Sequence, residues 1–252
     1  MEKGKMMNQK PRRDMDDEDE SSAFRDADEI WVQEITPDSA IEFHDRINRQ
    51  FKMNPRLPIT ININSPGGDV AAMFQMFDSM DAITACAPKE FYFITMVSGE
   101  ACSAAADLLA YGDLRIATPK STVMIHQTSG WPRSPHVDDM RVHADELERM
   151  NDLAMQIFVD NTGFPGGLEG LKNYLKRDKW LSAKEAKELG VVDEIGYMKI
   201  EYAKAAFVHI FDEVKKDRKG KKKYRQVLTD ENEEKEAPAK KSKAKPKRGV
   251  KK

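Results

Sequence analysis

Ser103, within G-E-A-C-S-A-A-A at residues 99–106, and His126, within M-I-H-Q at residues 124–127, are the two side chains of this sequence best suited to acyl transfer. A serine hydroxyl is a weak nucleophile at neutral pH and needs a base to take its proton. An imidazole, with an ordinary pKa of about 6.5, accepts that proton and can return it to a leaving amine. A third segment, N-S-P-G-G at residues 64–68, has glycines that let backbone approach a substrate carbonyl with no Cβ in the way. A helix that begins just after a serine leaves its first amides unpaired and pointing outward, where they stabilise the anion formed on attack.

Each of these residues also has a plain structural reading. Ser103 can be a small residue that permits close helix packing, and His126 can be a core histidine behind Met124 and Ile125. Cys102 is the competing nucleophile, but its side chain leaves the turn in a different direction from that of Ser103. His44, His136, His143 and His209 read as solvent-facing or contact residues, and no His/Cys/Asp spacing suggests a metal, so neither metal nor cofactor is expected. Local sequence does not single out the carboxylate that would orient His126, because acids are plentiful. Asp193 is one candidate, although V-V-D-E-I-G reads as a terminal strand with an exposed acid.

The elements that must position these residues alternate between strand and helix. I-T-I-N-I-N-S at residues 59–65 has period two, the pattern of a half-buried strand, and stops at a Pro-Gly-Gly turn. After Asp69, Val70, Phe74, Phe77, Met80 and Ile83 recur at helical spacing, and the stripe with Met73 and Met76 reads as core. Residues 91–97 read as a strand, with a turn at Ser98 and Gly99 and a small-residue helix over 102–111. Strands are expected at 114–117 and 123–125, and helices at 137–160, 168–176 and, capped by Ser182, up to Leu189. The alternation makes an α/β domain.

Composition sets the limits of that domain. Of 252 residues 33% are charged, and residues 215–252 hold 17 Lys and Arg against 6 Asp and Glu, so the net −2 is an acidic body joined to a basic end. The expected organisation is a flexible acidic arm at 1–26, a folded domain at 27–205 and a basic, largely disordered tail at 206–252. The tail's charge suits nucleic acid or an acidic protein surface. No apolar run suits a membrane span or signal peptide, and two cysteines make no disulfide framework, so a cytoplasmic location is expected.

Four motifs in order, I-N-S-P-G-G, the Gly-x-Ala-x-Ser turn, A-T-P-K-S-T-V-M-I-H-Q and K-R-D-K-W-L-S-A-K-E-A-K-E-L-G-V-V-D-E-I-G, resemble the proteolytic subunit of the ATP-dependent Clp protease, peptidase family S14, over residues 30–195. The resemblance implies a crotonase-like α/β fold and a serine endopeptidase that cleaves peptides or unfolded segments. It makes Ser103 the nucleophile, His126 the base and Asp178 the third triad member, with the amides of Gly68 and Ala104 as oxyanion donors. Gln127, Thr128, Ser129 and Gly130 would form the strand that receives the substrate. The helix from Val137 would join two heptameric rings into a homo-oligomeric tetradecamer, with Arg177 as a ring contact.

The sequence departs from that family where housekeeping members carry aromatic residues to dock a AAA+ unfoldase. Thr60, Asn62 and Ala82 stand there, polar or small, so weak or absent docking is expected. The charged ends depart as well. Both departures resemble phage head-maturation proteases of this kind, which process capsid and scaffold precursors without an ATPase. Two other classes stay in view: an acyl-CoA hydratase or isomerase of the same broad fold, and a non-catalytic ring or scaffold subunit.

Overall fold

The computed structural model describes residues 29–130, 136–202, 206–216 and 222–227. The expected arm at 1–26 and the end of the expected tail, 228–252, lie outside them.

A parallel sheet carries the domain. β1 (Ile30–Val32), β2 (Ile59–Ser65) and β3 (Phe93–Cys102) lie side by side in parallel, and α1 (Pro37–Met53) and α2 (Val70–Thr84) are the crossovers between them. Thr36 and Ser39 form a capping box that starts α1, which buries Ala40, Phe43 and Ile47. Asp69 starts α2 by accepting from the Ala72 amide at 2.7 Å. The expected stripe is core: Met73, Met76, Phe77 and Met80 are buried and Phe74 packs against them. Phe77 also stacks on Tyr111, with ring centroids 4.0 Å apart.

β2 is covered more fully than its alternation suggests. Asn62 is buried and its side-chain amide donates to the Ile30 carbonyl at 3.4 Å, because β2 has neighbours on both edges and helices over its face.

β3 differs from the sequence reading in a way that matters for the site. No turn ends it at Ser98 and Gly99; the strand continues to Cys102. β2 occupies one edge of β3 throughout, so its other edge serves two strands in succession, β4 (Leu114–Ala117) beside residues 94–97 and β5 (Thr122–Ile125) beside residues 100–102. Gly99, at φ 102°, makes the bend between these two stretches, and a Cβ there would lie 2.3 Å from the Asn64 Oδ1. The ladder to β5 supplies backbone partners for residues that a Ser-Gly turn would have left unpaired.

β6 (Lys179–Ser182) runs antiparallel to β5, and β7 (Glu194–Ile195) pairs with β4. α3 (Ala104–Ala110), α4 (Val137–Thr162), α5 (Gly167–Tyr174) and α6 (Ala183–Glu188) complete the domain. Gly163, left-handed at φ 62°, ends α4, and a Ser182–Glu185 capping box starts α6.

Regular structure is also present past residue 205. β8 (Tyr197–Tyr202), β9 (Ala206–Lys216) and β10 (Lys222–Val227) form a three-stranded antiparallel sheet, order β10-β9-β8. Lysines dominate the composition of this region, yet A-F-V-H-I-F at 206–211 has the β-branched and aromatic content of a strand.

Candidate active site

The end of β3 delivers Ser103 in a conformation that few residues adopt. At φ 58° and ψ −132° it is the one non-glycine residue with positive φ among those described, and α3 begins immediately after it. A sharp strand-to-helix turn of this kind lifts a serine hydroxyl out of the surrounding backbone. The turn is held from two sides. The Ser103 amide donates to the Met124 carbonyl of β5 at 2.8 Å. Gly67 packs against the other side, where a Cβ would lie 2.8 Å from the Ser103 Cβ and 2.5 Å from the Cys102 carbonyl oxygen. Ala104, Ala105 and Ala106 are buried, and their size lets α3 approach the sheet.

His126 follows β5 directly. Its Nε2 lies 2.6 Å from the Ser103 Oγ, within hydrogen-bond distance. The next residues are fixed by side-chain hydrogen bonds: the Gln127 amide donates to the Leu175 carbonyl at 3.2 Å, and the Thr128 backbone amide donates to the Asn151 Oδ1 at 2.9 Å. Residues 127–130 have no regular secondary structure and pair with no strand among the described residues. Asn151, on α4, escaped the sequence reading; an amide side chain midway along a long helix carries no local signal of its role.

Asp178 immediately precedes β6. The antiparallel register ends with the pair of Ile125 and Lys179, and His126 and Asp178 are the next residues beyond it. The Asp178 side chain is exposed and no hydrogen bond joins it to His126. Arg177 is exposed too. Asp193 is elsewhere and is not merely exposed, as its segment suggested: it accepts from the Arg115 backbone amide at 2.8 Å, from its Nε at 2.9 Å and from its guanidinium at 2.6 Å, clamping β7 to β4.

The amides of Gly68 and Ala104 are engaged by no backbone carbonyl among the described residues, whereas the flanking Gly67 carbonyl and Asp69 amide are both bonded to Ile35. Gly68 itself, at φ 149°, sits so close to Ile35 that a Cβ would lie 2.0 Å from its carbonyl oxygen. Cys102 is buried, and burial first, then the carboxylate of Glu100, push its thiol up to about 11, which leaves it protonated at neutral pH.

Ser103 and His126 open onto a recess between α3, α4 and α5, lined by Ile125, Met155, Phe158, Leu171 and Leu175 among others. Asp107, one turn beyond Ser103 on α3, also lines it, and burial pushes its carboxyl up to about 7. This residue was missed in the sequence, though A-A-A-D-L-L-A offers a signal: a lone acid in an otherwise apolar helix.

The remaining histidines lie apart from Ser103. The His44 Nδ1 is 3.1 Å from the Ser79 Oγ, and His136 precedes α4. His143 departs from the solvent-facing expectation, since its Nε2 is buried without a hydrogen-bond partner. The side chain of His209 lies outside the described residues. Among the described residues no His/Cys/Asp/Glu cluster could hold a metal, and no helix is long and apolar enough to cross a membrane. The family model described as Clp protease matches residues 19–199.

Proposed function

The chain belongs to the Clp protease family and is a peptidase, and we propose that it is a serine endopeptidase acting through Ser103, His126 and Asp178. The observation that carries this reading is the 2.6 Å contact between the Ser103 Oγ and the His126 Nε2 at a turn held in positive φ. In the proposed reaction the Ser103 oxygen attacks the scissile carbonyl while His126 takes its proton. The anion on the carbonyl oxygen is stabilised by the Gly68 and Ala104 amides. The C–N bond then breaks, the amine leaves with the proton from His126, and water attacks the acyl-enzyme with His126 again as base. Asp178, next to Lys179 where the β5–β6 ladder ends beside His126, would orient the imidazole once the two side chains are brought into hydrogen-bond contact. The substrate backbone would lie along residues 127–130.

A self-assembled chamber is part of the proposal. Between residues 136 and 153 the side chains on or before α4 are exposed or only partly buried, and Val137, Met140, Val142 and Leu153 are exposed apolar groups. A helix that leaves its own domain with such a surface is suited to contact between copies of this chain. We further propose that it works without the usual unfoldase. Asn62 is turned inward onto Ile30, and the Thr60 Oγ1 is buried without a partner, so neither helps to line an apolar docking pocket.

The test is a fluorophosphonate probe on the purified full chain. Labelling of wild type and its disappearance in Ser103→Ala is the expected result; labelling that persists in the variant would remove Ser103 from the mechanism.

A further inference from the structure

The small sheet of β8, β9 and β10 has two unlike faces, and its register assigns residues to each. Directly paired residues share a face, and successive residues of a strand alternate between faces. Met198 pairs with Ile210, Ile200 with Val208, Tyr202 with Ala206 and Val227 with Ile210, which makes one face apolar. Met198 packs against Ile94 and Ile116 of the main sheet, so this face is turned to the domain. Tyr197, the residue before it, is exposed and belongs to the other face. On that outer face Tyr197 pairs with Phe211, Lys199 with His209, Glu201 with Phe207 and Gln226 with Phe211.

A shift of register continues the outer face to the far end of the sheet. Between the pairs Phe211–Gln226 and Val214–Tyr224, β9 sets Asp212 and Glu213 against the single residue Arg225. Tyr224, Val214 and the pair Lys216–Lys222 thereby fall on the same side as Phe211. Each of the three strands contributes an aromatic residue and a lysine to this face. Lys215 also pairs with Lys223, and like charges directly opposite each other weaken a sheet. The hairpin that joins β9 to β10 adds to the charge, since K-K-D-R-K-G-K-K-K at 215–223 holds seven basic residues and one acid. The fold gains nothing from this concentration of charge. A second copy docked through the same face would bring its own lysines against these, so a polyanion is the complementary occupant.

We propose that the outer face of β8–β10 binds single-stranded nucleic acid, with Tyr197, Phe207, Phe211 and Tyr224 as stacking platforms and Lys199, Lys216 and Lys222 as phosphate contacts. Lysines alone would suit any polyanion; aromatic residues between them select one whose bases are free to stack. Phe207 and Phe211 stand about 13 Å apart along β9, which leaves room for a separate base at each. A duplex keeps its bases stacked on one another, and an acidic polypeptide has none to offer. The inference is independent of the serine mechanism.

The experiment titrates the full chain into fluorescent oligothymidylate, oligouridylate, mixed-sequence duplex DNA and polyglutamate, with anisotropy read at two salt concentrations. Single strands are expected to bind about tenfold or more tighter than duplex or polyglutamate, and more weakly as salt rises. Tyr197→Leu and Phe211→Leu keep every charge, and each is expected to weaken single-strand binding by about tenfold while polyglutamate binding stays the same. Lys216→Gln combined with Lys222→Gln is expected to weaken it as well and to flatten its salt dependence. Tyr197 begins β8 with an exposed side chain, so its variant reads stacking even if Phe211→Leu disturbs the small sheet. Absence of single-strand binding at low salt overturns the proposal. Equal affinity for polyglutamate does so too, and would make the face a site for acidic protein, while equal affinity for duplex would leave charge alone as its basis. Single-strand affinity unchanged in Tyr197→Leu overturns it as well. Binding of either oligonucleotide above both controls supports it, and a preference between the two tells DNA from RNA.

Discussion

The Ser103 backbone amide donates to the Met124 carbonyl at 2.8 Å, two residues before the histidine that meets the Ser103 hydroxyl. The Ser–His contact is therefore set by a backbone ladder. Cys102 pairs with Met124 in register, so the last residues of β3 and β5 carry the two side chains out of the sheet together. Side chains mounted on paired strands keep their separation better than side chains on loops.

Residues held as one unit should fail as one unit. Ser103→Ala, His126→Ala and the double variant are each expected to lose about 10⁴-fold or more in kcat/KM on a peptide substrate, with the double no worse than the worse single. Steady-state kinetics on the three proteins checks this. Losses that multiply in the double variant would show that the two side chains act independently.

Gly67→Ala should damage the nucleophile without touching its side chain. The new Cβ would lie 2.5 Å from the Cys102 carbonyl oxygen and 2.8 Å from the Ser103 Cβ, at a φ of 101° that alanine disfavours. The turn must move, at a cost of roughly 1–3 kcal/mol in stability. Fluorophosphonate labelling is expected to slow by about tenfold or more, since small displacements of a reacting group are expensive. Denaturant unfolding and labelling kinetics read the two effects. A variant that labels at the wild-type rate would show that the Gly67 contact does not position Ser103.

Two aspartates should separate cleanly between catalysis and stability. Asp178→Asn is expected to lower kcat by about 10³–10⁴-fold, because the imidazole loses the group that fixes its tautomer. Its stability should barely change, since the side chain is exposed. Asp193→Asn should do the reverse, losing roughly 1–3 kcal/mol of stability with the partly buried Arg115 pair. Thermal melts and kcat on both variants distinguish them, and an unchanged kcat in Asp178→Asn would move the third triad role to another group.

Much of this site could be read before any coordinates, for reasons specific to each residue. Ser103, His126, Gly67 and Gly68 sit in short motifs whose local geometry follows from residue type: small side chains at a turn, a polar residue ending a strand. Asp178 depends on strand register, which pairs β5 with β6 across more than fifty positions of sequence and leaves no local mark. The continuation of β3 past Gly99 was hidden for a related reason, because Ser-Gly is ordinary turn chemistry unless a second parallel neighbour takes up its backbone. The strands past residue 205 were masked by surrounding lysines. Asp107 was obscured by its neighbours, since three alanines draw attention to packing and only the recess shows what the next residue faces.

The carboxyl of Asp107 should also make stability depend on pH with a sign opposite to that of most aspartates. Burial raises it to about 7 in the folded protein, well above the usual carboxylate range it has when unfolded. Between about pH 4 and pH 7 the folded state therefore binds the proton that the unfolded state has lost. Stability contributed by this group is present at the acidic end of that window and declines as pH rises through 7. His126, the other titratable group lining the recess, is present in both proteins when Asp107 alone is changed. Asp107→Leu is accordingly expected to melt above wild type at pH 8, by several degrees, with the advantage shrinking as the pH is lowered to 5. Thermal melts of the two proteins at both pH values provide the check. An advantage that is equal at both pH values would mean that the leucine acts by filling the recess, with no ionisation of Asp107 involved.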